Sequence, residues 1–98
     1  MTPTPPFSVR TTSAFDRDFR KLAKQHRDLV EHFGRAISIL ENDPYNRSRV
    51  HDTKKLQGVP AGEGQYRLRL GRFRFRFDIA GRVVTLVACS LRREDTYA

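Results

Sequence analysis

The sequence has few of the residues that would tie it to secretion, to a metal or to a membrane. Cys89 is its only cysteine, so no internal disulfide can form. His26, His32 and His51 do not have the spacing of metal ligands, and we expect no metal site and no cofactor. No apolar run approaches the length of a membrane span, and the proline-rich residues 1–6 lack the segments of a signal peptide. We therefore expect a cytoplasmic protein with no membrane partner.

Acidic residues are also scarce relative to basic ones. The chain has 19 lysines and arginines against 11 aspartates and glutamates, a formal net charge of +8. Such a balance favours a polyanionic partner, and the planar guanidinium fork of arginine grips phosphate in bidentate fashion. With 98 residues and 38% hydrophobic composition, the chain fits one folded domain. We expect a loose tail over 1–6 and a single domain over 7–98.

Hydrophobic spacing in the first half of the chain predicts one strand and two helices. Apolar and polar residues alternate from Phe7 to Thr12, which is typical of a short strand. A helix should begin with Ser13 as its N-cap and end near Gln25–Arg27. A second helix should begin at Asp28 and stop before Pro44, because proline cannot continue a helix. The two are nearly contiguous, which predicts a helical hairpin.

The second half changes to a period of two. Residues 44–64 read as a long loop, which in a small domain is often functional. Strands are predicted over 66–70, 73–79 and 83–91, joined by tight turns at Gly71 and at Ala80-Gly81. The whole order predicts an α+β fold, in which an N-terminal strand and a helical hairpin precede a three-stranded antiparallel meander. The helices should pack on one face of a twisted sheet.

The strand alternation separates arginines from apolar side chains. Residues at i and i+2 share a face, so the arginines should lie opposite the phenylalanines. The predicted set on this face is Arg67, Arg69, Arg72, Arg74 and Arg76, with Asp78 as the only acid. Clustered like charges cost stability. We interpret the face as a phosphate-binding surface, and we expect Lys54 and Lys55 to bind phosphates of the nucleic-acid backbone. The alternative is a solvated outer face of the sheet.

Four motifs then carry a family resemblance. They are Lys55-Leu56-x-Gly58, Tyr66-Arg67-Leu68-Arg69-Leu70-Gly71-x-Phe73-Arg74, Val83-Val84-x-Leu86-Val87 and Arg93-x-x-x-Tyr97. In this order, after a helical hairpin, they resemble the RelE/ParE toxin superfamily, RelE-like members more than ParE-like ones. The resemblance implies the toxin of a type II toxin-antitoxin system, held inactive by a cognate acidic antitoxin. RelE-like members are endoribonucleases that cut messenger RNA on the ribosome without a metal. ParE-like members inhibit DNA gyrase, and a relic that only binds RNA or antitoxin is a third possibility.

The resemblance also implies roles for individual residues. The implied catalytic residues are Arg67, Arg74, Arg93 and Tyr97. The resemblance also places Arg69 at the scissile phosphate. The full set of predicted substrate-binding residues, of which the resemblance implies only Arg69, is Lys54, Lys55, Arg69, Arg72, Arg76 and Arg92. Tyr97 would accept the proton of the attacking 2′-hydroxyl, and neighbouring cations would favour its deprotonated form; the alternative is a packing residue or a frayed chain end. The family often has lysine at the two strand positions, whereas arginine here would stabilise charge without donating a proton.

Overall fold

The computed structural model describes residues 4–91, which form a five-stranded sheet and two helices. The elements, numbered in chain order, are β1 (Ser8–Thr11), α1 (Ser13–Gln25), α2 (Leu29–Asn42), β2 (Asp52–Lys55), β3 (Tyr66–Leu70), β4 (Phe73–Ala80) and β5 (Val83–Leu91). The strand order is β1-β5-β4-β3-β2, with β1 parallel to β5 and the other neighbours antiparallel. The predicted α+β fold is confirmed: the helices pack on one face of an open sheet.

Helix α1 begins one residue after its cap. The cap is Thr12 and not Ser13, because the Thr12 hydroxyl accepts a hydrogen bond from the Phe15 amide at 3.1 Å. The Thr12 amide is itself held by the carbonyl oxygen of Leu86 in β5. This contact fixes the start of α1 against the sheet, where Phe15 is buried. The helix ends at Gln25, within the predicted range.

The core lies between the helices and the inner face of the sheet. Helix α2 buries one stripe of side chains, consisting of Leu29, Ala36 and Leu40. The sheet contributes fully buried side chains from its three central strands, namely Leu68, Phe73, Phe75, Phe77, Val84 and Leu86. The phenylalanines alternate with arginines along β4, so burying them directs those arginines outwards.

Strand β2 lies within the segment that the sequence predicts to be a loop. Its four residues pair antiparallel with β3, which places Asp52 beside Arg69 and Lys54 beside Arg67. Asp-Thr-Lys-Lys has no apolar alternation, so nothing local predicts a strand there. The open edge of β3 supplies the backbone partners instead. As a consequence, an acidic residue joins the outer face of the sheet.

A bulge in β5 adjusts the pairing with β4. Arg76 pairs with Ala88 and Phe77 with Leu86, which leaves Val87 as the extra residue. Leu86 and Cys89 can therefore both be buried although they are three positions apart. Neither α1 nor α2 is long and apolar enough to cross a membrane, and residues 4–91 contain no other helix.

Candidate nucleic-acid interface

The outer face of the sheet carries a compact group of cations. Across β3 and β4, Arg69 pairs with Arg74 and Arg67 with Arg76. On β2, Lys54 lies beside Arg67. On β5, Ser90 lies beside Arg74. We call Lys54, Arg67, Arg69 and Arg74 the basic face.

Asp52 bridges two arginines of the basic face. Its Oδ1 accepts from Nη2 of Arg67 at 3.2 Å, and its Oδ2 accepts from Nε of Arg69 at 2.9 Å. The exposed fractions of the side chains are 12% for Arg67, 30% for Arg69 and 51% for Asp52. The sequence pattern missed this carboxylate because Asp52 belongs to the strand that it did not predict. Recognising that β2 pairs with β3 would have found it.

Of the two arginines that Asp52 bridges, Arg67 is the more buried. Burial lowers the pKa of its guanidinium, as does the neighbouring charge of Arg69, while Asp52 acts in the opposite direction and Arg74 lowers it again. Arginine nevertheless stays charged at neutral pH. Within residues 4–91, the buried Nε of Arg67 has no hydrogen-bond partner. A buried donor without a partner costs free energy, which a hydrogen bond to an anion would offset.

Arg76 shares the outer face but is engaged with the chain itself. Its Nη2 donates to the carbonyl oxygens of Glu63 at 2.9 Å and Gly64 at 3.0 Å, and its Nε also donates to Gly64 at 3.2 Å. Asp78, the acid expected among the arginines, accepts from the amides of Gly64 and Gln65, both at 3.0 Å. Arg76 and Asp78 therefore clamp the end of the loop that leads into β3.

Arg72 does not lie with Arg74 and Arg76, so the predicted grouping is wrong for this residue. It stands in the turn before β4, where the alternation of strand side chains has not begun. Its Nη2 donates to Asp28 Oδ1 at 2.8 Å and lies 3.3 Å from Nδ1 of His26. The guanidinium is thus tied to the junction of the two helices.

The two lysines of β2 point to opposite sides of the sheet. Lys54 shares the outer face with its partner Arg67. Lys55 lies on the helix side, where its Nζ is 5.8 Å from the centroid of the Tyr66 ring. Lys54 joins the basic face and Lys55 does not, since successive strand residues face opposite ways.

The remaining predicted site residues, Arg92, Arg93 and Tyr97, lie outside the described residues. Their roles stay predictions. Strand β5 ends at Leu91, directly after the Ser90 that neighbours Arg74. In the part of the chain from 4 to 91, no group of three or more His, Cys, Asp or Glu side chains is placed to hold a metal ion.

Together, a helical hairpin on one face of the sheet and arginines on the other make this an α+β protein with a basic outer face, and its fold is that of solved RelE toxins. The chain resembles the YoeB dimer of Staphylococcus aureus with a TM-score of 0.67 and 10% identity, over 87% of this chain and 95% of that one. It resembles the toxin-antitoxin complex RelBE2 of Mycobacterium tuberculosis with a TM-score of 0.62 and 24% identity, over 94% and 98%. For the RelE-RelB complex of Pyrococcus horikoshii the TM-score is 0.60 and the identity 25%, over 90% and 97%.

These likenesses confirm the resemblance that the motifs indicated: the chain has the fold of the RelE and YoeB toxins over nearly all of its length. The sequence matches no protein-family model and no curated protein sequence.

Proposed function

We propose that this chain is the toxin of a type II toxin-antitoxin pair and acts in the cytoplasm as a metal-independent endoribonuclease on ribosome-bound messenger RNA. The observation that carries the proposal is the basic face on a RelE-like sheet. Arg67, Arg69 and Arg74 come from two paired strands, with Arg69 directly opposite Arg74. Like charges in this arrangement destabilise a sheet unless anions offset them, and the single carboxylate of Asp52 carries one charge against the two arginines that it bridges. Phosphate suits the site because guanidinium groups bind it in bidentate fashion.

The proposed reaction is an internal phosphoryl transfer. The 2′-hydroxyl passes its proton to Tyr97 and attacks the adjacent phosphorus. The bond to the 5′ oxygen breaks and that oxygen takes a proton from water, which leaves a 2′,3′-cyclic phosphate and a 5′-hydroxyl. Negative charge accumulates on the phosphoryl oxygens in the transition state. Guanidinium groups already held on rigid strands stabilise that charge without reorganising. Arg67 and Arg74 are assigned this task.

Proton transfer is assigned to the C-terminal residues. The resemblance gives Tyr97 the role of base towards the 2′-hydroxyl, with Arg93 beside it. Arginine on the strands keeps its proton at neutral pH, so it supplies charge and not acid catalysis. This assignment makes Tyr97→Phe a direct test of the chemistry, because it removes one hydroxyl and little else.

The proposed partner is an acidic antitoxin. The Pyrococcus horikoshii protein was crystallised as a RelE-RelB complex and the Mycobacterium tuberculosis protein as a toxin-antitoxin complex. A chain with a net charge of +8 is complementary to an acidic partner. Such an antitoxin would neutralise the charge that otherwise draws the toxin to RNA.

The proposal is tested by inducible expression of the wild type, Arg74→Gln and Tyr97→Phe, followed by mapping of the 5′ ends of cellular messages. Arg82→Gln is the matched control, since it removes the same charge from an exposed turn between β4 and β5. The wild type and the control should stop growth and create 5′-hydroxyl ends inside coding sequences, and the other two variants should do neither. Growth arrest with intact messages and a DNA-damage response would indicate gyrase inhibition instead.

A further inference from the structure

The carboxylate of Asp52 occupies the donors that a phosphate would use. One oxygen accepts from Nη2 of Arg67 and the other from Nε of Arg69, at 3.2 and 2.9 Å. Two oxygens of one anion thereby join guanidinium groups from neighbouring positions on the same strand face. Two non-bridging oxygens of a phosphodiester present the same pattern of acceptors.

We propose that Asp52 is an internal competitor for phosphate and is exchanged for a phosphate group when RNA binds. The proposal rests on the proposed function, in which the basic face binds RNA. Asp52 then lowers the affinity of the site for phosphate, and it holds Arg67 and Arg69 in place until RNA binds.

Exchange follows from charge and position. Asp52 and a phosphate carry the same sign and need the same two donors, so they do not bind side by side. Asp52 lies on a four-residue edge strand and its side chain is 51% exposed, which leaves water free to solvate the displaced carboxylate. The phosphate takes over both donors, so neither guanidinium is left without an anion, and the cost of displacing the half-exposed carboxylate is small.

The exchange also discriminates between ligands. A single small anion only replaces the carboxylate of Asp52 as the partner of the two arginines, so it gains little binding free energy. A strand of RNA also presents further phosphates to Lys54 and Arg74, whose positions flank the bridge across β2–β4. The specificity for an extended polyphosphate therefore comes partly from an acidic residue.

The test is Asp52→Asn measured against Glu63→Gln. Both changes remove one negative charge, and the ion pairs of Arg67 and Arg69 within residues 4–91 are with Asp52 and not with Glu63. Binding of a single-stranded 2′-O-methyl RNA, which cannot be cut by 2′-hydroxyl attack, is followed by fluorescence anisotropy over a range of salt concentrations. Asp52→Asn should bind about two- to fivefold tighter than Glu63→Gln. The slope of log affinity against log salt should be larger in magnitude for Asp52→Asn than for Glu63→Gln, by up to about 0.7.

If the wild type binds the RNA but Asp52→Asn binds no tighter than Glu63→Gln, the exchange is wrong while RNA binding stands. Thermal melting of each variant shows whether a loss of binding is a loss of folding. A second readout needs no RNA: the Nε–H resonance of Arg69 in the wild type is followed by NMR as inorganic tripolyphosphate, which presents several linked phosphates, is added. If no form of the protein binds RNA but this resonance shifts, the exchange stands and the proposed function fails; if it does not shift, both fail.

Discussion

At the scale of the residue, arginines at neighbouring positions of one sheet make different contacts. Arg67 and Arg69 hold Asp52, Arg76 holds two backbone carbonyl oxygens, and Arg72 is tied to the helical junction. The strand alternation determines on which side a guanidinium leaves the backbone. Its partner depends on which loop or strand passes nearby. The candidate site is therefore smaller than the arginine content of β3 and β4 suggests.

The first prediction concerns Arg76. Arg76→Gln should lower the free energy of unfolding by about 1–2 kcal/mol, because it removes the donors to the carbonyl oxygens of Glu63 and Gly64. Urea denaturation measures the change. Arg82→Gln, at an exposed turn, should stay within about 0.5 kcal/mol of the wild type. Equal stability of the two variants would show that the clamp contributes nothing.

The second prediction concerns the pH dependence of stability at Asp43. Burial raises the pKa of this carboxyl, but hydrogen bonds from the Ser48 hydroxyl and the Arg47 and Ser48 amides, together with the charge of His51, leave it below the ordinary 3.8. The ionised form is thus favoured in the folded state. Its contribution to stability is full above the ordinary pKa and disappears as the pH falls through the lowered one.

Asp43→Asn should therefore flatten the acid limb of the stability profile. The measurement is urea unfolding of the wild type and the variant at intervals between about pH 2 and pH 6, spanning the aspartate range. Ser48→Ala should show part of the same effect, because it removes the hydroxyl that donates to Asp43 at 2.6 Å. An unchanged acid limb in Asp43→Asn would contradict the assignment.

At the scale of the element, the β2–β3 connection shows how a long loop is ordered. The Leu56 amide donates to the Gln65 carbonyl oxygen at 2.7 Å, which closes the loop at its base. Gly64 is buried at its end, with a φ of +84°. A β-carbon there would lie 2.9 Å from both Cβ of Arg76 and Cγ2 of Val87. The loop can reach β4 only because this residue has no side chain.

Gly64→Ala should consequently destabilise the protein more than Gly62→Ala. Both glycines have a positive φ, which costs an alanine about 1–2 kcal/mol. At Gly62 a β-carbon meets nothing within 4 Å, whereas at Gly64 it collides with two side chains. The expected difference between the variants is about 1–3 kcal/mol, the usual cost of overpacking. Equal melting temperatures would mean that the loop does not pack against β4 in this way.

The elements with a clear hydrophobic period could be predicted from the sequence. The buried stripe of α2 and the alternation of Phe73, Phe75 and Phe77 fix which faces meet. Strand β2 could not be predicted, because its pairing depends on the free edge of β3 and not on its own residues. Asp52 was missed for that reason, and Arg72 was misplaced because turn residues do not continue the alternation.

At the scale of the whole molecule, the two faces of the sheet have separate tasks. The inner face and the helices bury the phenylalanines of β4, and the outer face leaves its central strands uncovered by any helix among residues 4–91. An open face of this kind gives an extended strand of RNA room to lie across β2–β4. The charge of the molecule would bring RNA to the face, and the arrangement of arginines would position the phosphate.

Salt should therefore govern RNA affinity. The four cations of the basic face less the one negative charge of Asp52 leave about three net charges, which predict a slope of about −2 for log affinity against log salt, at about 0.7 per phosphate on a single strand. Arg69→Gln should make the slope shallower by about 0.7, while Arg82→Gln should leave it nearly unchanged. Anisotropy titrations with 2′-O-methyl RNA provide both values. The same loss of slope in the two variants would mean that net charge alone drives binding.

The central claim is that the basic face promotes cleavage of messenger RNA on the ribosome. The most direct measurement adds purified wild type, Arg67→Gln, Arg74→Gln and Arg82→Gln to a reconstituted translation reaction with one defined message, and follows the rate of cleavage and the ends produced. Wild type and Arg82→Gln should cut the ribosome-bound message to 2′,3′-cyclic phosphate and 5′-hydroxyl ends. Each of the other variants should be slower by about 100- to 1000-fold, the usual cost of losing one group that stabilises the transition-state charge. An intact message with wild-type protein, or equal rates for all four proteins, would contradict the claim.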